Sequence, residues 1–253
     1  MTRKSVLITG GAKRIGAVAA RRFAGAGWHV VVHCQSSVDA AKKLVAELDH
    51  AEVVRCDLAD PQAAMAMVRD LAGRLDDWRC LVNSAAVFDP DKVTGLDPAT
   101  NARAMRINAA VPALLAQGFL ALARSSAGRR VIQVTDQKLA NLNPDFFSYT
   151  MSKAAADVAA RMLAMHGHDD DRVYCLAPGA ILPSHDQSAQ EAERSHRMNL
   201  LARRTGPDEV AEAMLFLAEG PLATGQVLYV DSGQHLLDQR RDVIYLEREE
   251  RPA

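Results

Sequence analysis

Seven short apolar runs recur along this chain, at Ser5–Thr9, His29–His33, Glu52–Cys56, Cys80–Asn83, Arg130–Val134, Arg172–Leu176 and Gln226–Val230. Each is rich in Val, Ile or Leu, and several are apolar without alternation, as expected of strands covered on both faces. Longer segments of helical period fill the gaps, near Ile15–Ala26, Val38–Leu48, Pro61–Leu75, Thr100–Arg124, Phe147–Met165 and Asp208–Ala218. The third helix has a start signal, with Asp60 as N-cap and Pro61 at the first helical position. Strand–helix alternation of this kind predicts a single doubly wound α/β domain, a seven-stranded parallel sheet flanked by helices. Two appendages stand outside the pattern. Residues 181–204 read as a substrate loop or helix insertion, and residues 238–253 as a charged tail whose Glu247-Arg248-Glu249-Glu250-Arg251 reads as a solvated end.

Composition narrows the partners. The 253 residues are 49% hydrophobic and 24% charged with a net charge of −1, enough apolar surface for a sizeable core. The chain carries no basic cluster for nucleic acid or an anionic membrane, so a small-molecule partner is expected. Cys34, Cys56, Cys80 and Cys175 lack C-x-x-C spacing and read as reduced, buried thiols. The apolar run Val6-Leu7-Ile8 is too short for a signal or membrane segment, which predicts a cytoplasmic protein. His166 and His168 fall on different helical faces and no H-E-x-x-H occurs, so no metal is expected.

The first strand runs into Thr9-Gly10-Gly11-Ala12-Lys13-Arg14-Ile15-Gly16 and then a helix. Glycines there let the backbone turn sharply and offer N–H groups, at the positive end of the helix dipole, to a pyrophosphate. After the second strand comes His33-Cys34-Gln35-Ser36-Ser37, with no acidic residue before Asp39. A carboxylate would bind ribose hydroxyls and repel a 2′-phosphate, so its absence, with Lys13 and Arg14 nearby, points to NADP(H). Asp57 and Asn83 follow the third and fourth strands, at the sheet end where ligands bind; each also reads as a turn-former or cap.

Tyr149 and Lys153 share one face of a helix at a spacing of four. A nearby ammonium favours phenolate, so Tyr149 is expected to have a lowered pKa and to act as a general acid.

From Thr9-Gly10 through Asn83, Asn108 and Tyr149/Lys153 to Pro178-Gly179 the chain resembles the short-chain dehydrogenase/reductase family. The resemblance implies a Rossmann domain and an NADPH site formed by Gly10, Lys13, Arg14, Ile15, Gly16, His33, Ser36, Asp57, Leu58, Asn83, Ser84, Ala85, Lys153, Pro178 and Gly179. It further implies that Asn108 holds a water of a proton relay, and that helices near Thr100–Arg124 and Phe147–Met165 pair subunits in a homotetramer.

Two departures point to a subgroup. Arg14 stands where the general family has a glycine, and Asp136, thirteen residues before Tyr149, stands where it has the catalytic serine. The first is similar to pteridine reductases and dihydromonapterin reductases, and the second to pteridine reductases. In that subgroup the aspartate helps the tyrosine protonate the pterin, the arginine faces it, and an aromatic residue at the place of Phe88 stacks on it. The expected activity is NADPH-dependent reduction of a 7,8-dihydropterin (dihydromonapterin- or dihydrobiopterin-like, with dihydrofolate a further candidate) to the tetrahydro form. Two alternatives stand beside it: reduction of a ketone, quinone or 3-oxoacyl substrate, and NADP(H) sensing without turnover. Ala86, where some pteridine reductases carry serine, and Leu182, where the general family often has threonine, predict a substrate grip of its own.

Overall fold

The structure, a computed structural model, describes residues 3–184 and 187–249; Glu250 and Arg251 of the predicted tail lie outside the described residues. Its strands are β1 (Ser5–Ile8), β2 (His29–Cys34), β3 (Ala51–Arg55), β4 (Trp78–Asn83), β5 (Arg130–Val134), β6 (Arg172–Pro178) and β7 (Val227–Val230). They form one parallel sheet of order β3-β2-β1-β4-β5-β6-β7. Chain direction across the sheet reverses between β1 and β4, and that switch point opens the crevice in which ligands of such sheets bind.

Alternate residues of each central strand enter different cores. Val6 and Ile8 of β1 with Val30 and Val32 of β2 face one cluster, whereas Leu7 and Val31 face the other. The first cluster is covered by α1 (Arg14–Gly25), α2 (Val38–Ala46) and α8 (Pro207–Glu219). The second is covered by α3 (Pro61–Arg74), α5 (Val111–Leu122) and α6 (Phe147–Ala164). Burial on both faces is why the strands show little polar alternation. Asp60 caps α3 as expected, its carboxylate accepting from Gln62 N and Ala63 N. The four cysteines are buried and free, and burial pushes the Cys175 thiol up to about 12.

The predicted helix Thr100–Arg124 is corrected into three pieces: α4 (Pro98–Ala104), a π-helical turn at Met105–Ala110, and α5. Pro112 has no N–H to give the carbonyl of Asn108, so the ladder loosens one turn ahead of it. By length and composition alone Pro98–Leu122 could cross a membrane, but here it packs against α3 and α6 with Leu115 and Phe119 buried.

The tail also requires correction. Residues Val243–Glu249 form α9, which packs on α7 (Ala189–Ser195) and buries Val243, Ile244 and Glu247. Two of its charges are paired: Arg194 pairs with Glu247 at 2.6 Å, and Glu191 with Arg248 at 3.5 Å. Paired charges on two short helices hid the apolar Val243-Ile244 step in the sequence.

Candidate active site

A cavity of about 630 Å³ opens at the carboxyl end of the sheet. At one end lies the turn between β1 and α1. Gly10 has φ +67°, and a Cβ on Gly16 would lie 2.4 Å from the Gly10 carbonyl oxygen, so neither position accepts an ordinary side chain. Arg14 itself stands at φ 53°, the left-handed region that glycine enters freely. Its guanidinium donates to the Pro183 carbonyl at 3.1 and 3.2 Å, joining the turn to the loop after β6.

His33 braces this turn. Nδ1 accepts from Gly10 N at 3.1 Å, which leaves Nε2 to donate to the Cys56 carbonyl at 3.1 Å, a tautomer assigned from the network. Burial holds its pKa below the usual imidazole value, so the ring stays neutral. Thr9 Oγ1 accepts from Ser84 N and Ala85 N, locking the β4 loop against β1.

The opposite wall carries the ionisable groups. Asp136 follows β5, and its Oδ1 accepts from Lys138 N at 2.9 Å to cap the 3-10 turn Gln137–Ala140. Its Oδ2 accepts from the Tyr149 hydroxyl at 2.8 Å. Lys153, one turn along α6, donates to the Val134 carbonyl at 2.7 Å. Burial pushes Asp136 above the usual carboxylate range and Lys153 down to about 8. The expected lowering of the Tyr149 pKa is overturned. Burial and the facing Asp136 carboxylate raise it well above the ordinary phenol value, so the hydroxyl remains protonated.

Of the residues read from sequence, Gly10, Lys13, Arg14, Ile15, Gly16, His33, Ser36, Ser84, Ala85, Phe88, Asp136, Tyr149, Lys153, Pro178 and Gly179 line the cavity. Asp57, Leu58, Asn83 and Asn108 do not. Asp57 makes a turn with Ala59 N, Leu58 is buried, and Asn83 donates to the Pro112 carbonyl. Asn108 is spent on its neighbours: it accepts from Val87 N and donates to Val87 O and Ser152 Oγ. Phe88 has one face stacked on Phe146, centroids 4.1 Å apart, and its ring meets Tyr149 edge-on at 4.6 Å. Sequence reasoning missed Lys138, His196, Asp242, Val243 and Ile244, which also line the cavity. Of these, His196 falls within the 181–204 segment read as a substrate loop, and the apolar Val243-Ile244 step was masked by the charges around it.

Residues 10–235 match the family model described as enoyl-(acyl carrier protein) reductase. The chain superposes on the FolM alternative dihydrofolate reductase 1 from Brucella canis, complexed with NADP, with a TM-score of 0.87 and 34% identity over 92% of this chain and 94% of that one. It is 33% identical to 7alpha-hydroxysteroid dehydrogenase of Escherichia coli K12, over 91% of this chain and 93% of the relative. It is 26% identical to dihydromonapterin reductase of Escherichia coli O6:K15:H31, over 91% and 96%. With the glycine turn, the Tyr149/Lys153 pair and Asp136 set about one cavity at the switch point, the chain belongs to the short-chain dehydrogenase/reductase family, in its pteridine reductase-like subgroup.

Proposed function

We propose that the chain is an NADPH-dependent reductase that converts a 7,8-dihydropterin to the tetrahydro form. The observation that carries this reading is the 2.8 Å hydrogen bond between Tyr149 and a half-buried carboxyl, Asp136, inside the cavity. Reducing a ring C=N bond requires a proton at nitrogen as hydride reaches the adjacent carbon, and when bound NADPH supplies that hydride. Tyr149 is the immediate proton donor. Releasing that proton alone would leave a buried phenolate; Asp136 in its protonated form, with the Tyr149–Asp136 hydrogen bond then running from carboxyl to phenol oxygen, replaces it in the same movement. The C6=N5 bond becomes CH–NH, and solvent restores the proton to Asp136. Lys153 gives the phenol oxygen a nearby cation, its Nζ being 5.6 Å from the ring centroid.

The fit to the dinucleotide rests on the same geometry. The Gly10–Gly16 cradle is one that a Cβ would fill, and it stands at the start of the twelve-residue helix α1. Gly16→Ala is expected to weaken NADPH binding by about ten- to hundredfold, because overpacking of this kind costs about 1–3 kcal/mol. A fluorescence titration with NADPH checks it, and unchanged affinity would remove the turn from the cofactor site.

At the β2 end the cavity is lined by His33, Cys34, Gln35, Ser36 and Ser37, with no acidic residue among them, and Lys13 and Arg14 also belong to its lining. A 2′-phosphate there gains a charge-assisted hydrogen bond worth about 1.5–3 kcal/mol. The expected kcat/KM with NADPH therefore exceeds that with NADH by about ten- to hundredfold; equal efficiency would contradict it.

α6 leaves Met151, Val158, Met162 and Met165 exposed, positions that recur at helical spacing. A second copy covering this face and the exposed Leu122 of α5 fits a homotetramer, and light scattering at micromolar concentration checks it. A monomer mass would reject that assembly.

Carbonyl reduction is the second reading, favoured by the 33% identity to a hydroxysteroid dehydrogenase. Loss of NADPH absorbance with dihydropterins, dihydrofolate and simple ketones side by side separates the two.

A further inference from the structure

The cavity wall holds a charged pair that proton transfer does not use. Lys138 is buried; its Nζ donates to the Asp145 carbonyl at 2.5 Å and lies 3.8 Å from Oδ2 of Asp242. Asp242 enters from the C-terminal segment just before α9, and both residues belong to the lining of the cavity that holds Asp136. Anchoring of that segment is already accounted for by Asp145. Its carboxylate takes the Arg241 guanidinium at 2.9 to 3.1 Å and the Asp242 backbone N–H at 2.9 Å. The Asp242 side chain closes only a local turn, Oδ1 accepting from Ile244 N at 3.1 Å. Among the described residues its Oδ2 has Lys138 as partner, beyond hydrogen-bond length. Two charges taken out of water at that separation are poorly compensated, and a polar ligand edge placed between them would satisfy both.

This wall carries an acid pair, Asp136 with Tyr149, the Lys138 ammonium as donor and the Asp242 carboxylate as acceptor. A 2-amino-4-oxo dihydropterin presents the complementary groups along one edge: the nitrogen that receives the proton, the neighbouring carbonyl oxygen, then the ring N–H and amino donors. We infer that Lys138 and Asp242 form the subsite that recognises the 4-oxo/N3–H edge of the substrate ring, with Lys138 donating to the oxygen and Asp242 accepting from N3–H. This rests on the dihydropterin reading above. It makes the C-terminal segment a specificity element, since a simple ketone offers no donor to Asp242.

The test is fluorescence titration of the full-length, NADP⁺-loaded protein with a 7,8-dihydropterin and with its N3-methyl derivative, for the parent, Asp242→Ala and Asp242→Asn. The parent is expected to bind the N3–H form at least about tenfold more tightly. Asp242→Ala should bind the two within about twofold, and Asp242→Asn, whose amide oxygen still accepts, should fall between. Circular dichroism and NADPH binding establish that each variant is folded. A merely structural Asp242 would weaken both ligands alike and leave their ratio intact, and that result overturns the subsite. So does a parent that binds dihydropterin without discriminating the methyl derivative, which leaves the functional reading standing. A parent that binds neither pterin while reducing ketones removes the functional reading and the subsite together.

Discussion

Replacing Asp136 with serine is expected to slow dihydropterin reduction by about 10²–10⁴-fold, the usual cost of a lost general acid. The fold should survive, because the Asp136 carboxylate caps Lys138 N at 2.9 Å and serine is an equally good capping residue. Serine also accepts a hydrogen bond from Tyr149, so orientation is kept and only the ionisable proton is lost. Ketone reduction should suffer less. With the carboxylate gone, its repulsion no longer adds to the burial and the Asp242 charge that raise the Tyr149 pKa. The pH profile carries a second signature. Asp136 must be protonated to deliver, so the parent rate falls as pH rises through a pKa that burial has pushed above the carboxylate range. A further fall is expected near 8, where Lys153 loses its charge. Asp136→Ser should abolish the first limb and move the second to lower pH, since the Asp136 charge supports the Lys153 ammonium. Dihydropterin turnover within about threefold of the parent, with both limbs intact, would take the proton-handling role away from Asp136.

Tyr149→Phe should abolish reduction of either substrate class to a similar extent, about 10²–10⁴-fold, because the hydroxyl is the immediate donor in both. The ring keeps its place: it packs edge-on to Phe88 and lies in the aromatic cluster with Phe146 and Ile244. NADPH affinity is therefore expected to stay near the parent value, whereas kcat collapses. The variant also removes a hydrogen bond that favours the ionised carboxyl, so Asp136 should titrate higher still. Single-turnover kinetics with bound NADPH separate chemistry from binding. A large loss of NADPH affinity with an unchanged hydride-transfer rate would contradict the donor role.

Much of this site was legible because its signals are local. A glycine turn between a strand and a helix, and a Tyr/Lys pair on one helical turn, carry their geometry in their spacing. The strands were legible because burial on both faces gives short, continuous apolar runs, and β5 was placed at its observed limits, Arg130–Val134. What stayed hidden depends on distant contacts. The sign of the Tyr149 shift could not be read from Lys153 alone, since it is set by burial and by Asp136 arriving from β5. Asn108 has the expected position in the chain, but its side chain is taken up by Val87 and Ser152, an arrangement that appears only when the π turn and the β4 loop meet. Asp242 was read as part of a solvated tail because Asp145, Arg194 and Glu191, the partners that fold that tail back, lie roughly 50 to 100 residues away in sequence.

Hydride is expected to leave NADPH for a pterin ring carbon, with Asp136 and Tyr149 supplying the proton. The most direct measurement is a competition in one vessel. Purified chain is given a 7,8-dihydropterin, a simple ketone and NADPH deuterated at its transferable position, and the products are located by mass spectrometry. Deuterium is expected on the ring carbon next to the newly protonated nitrogen of the tetrahydropterin, one atom per NADPH oxidised. Deuterium found only on the carbinol carbon of the reduced ketone, or no transfer to either compound, would contradict it.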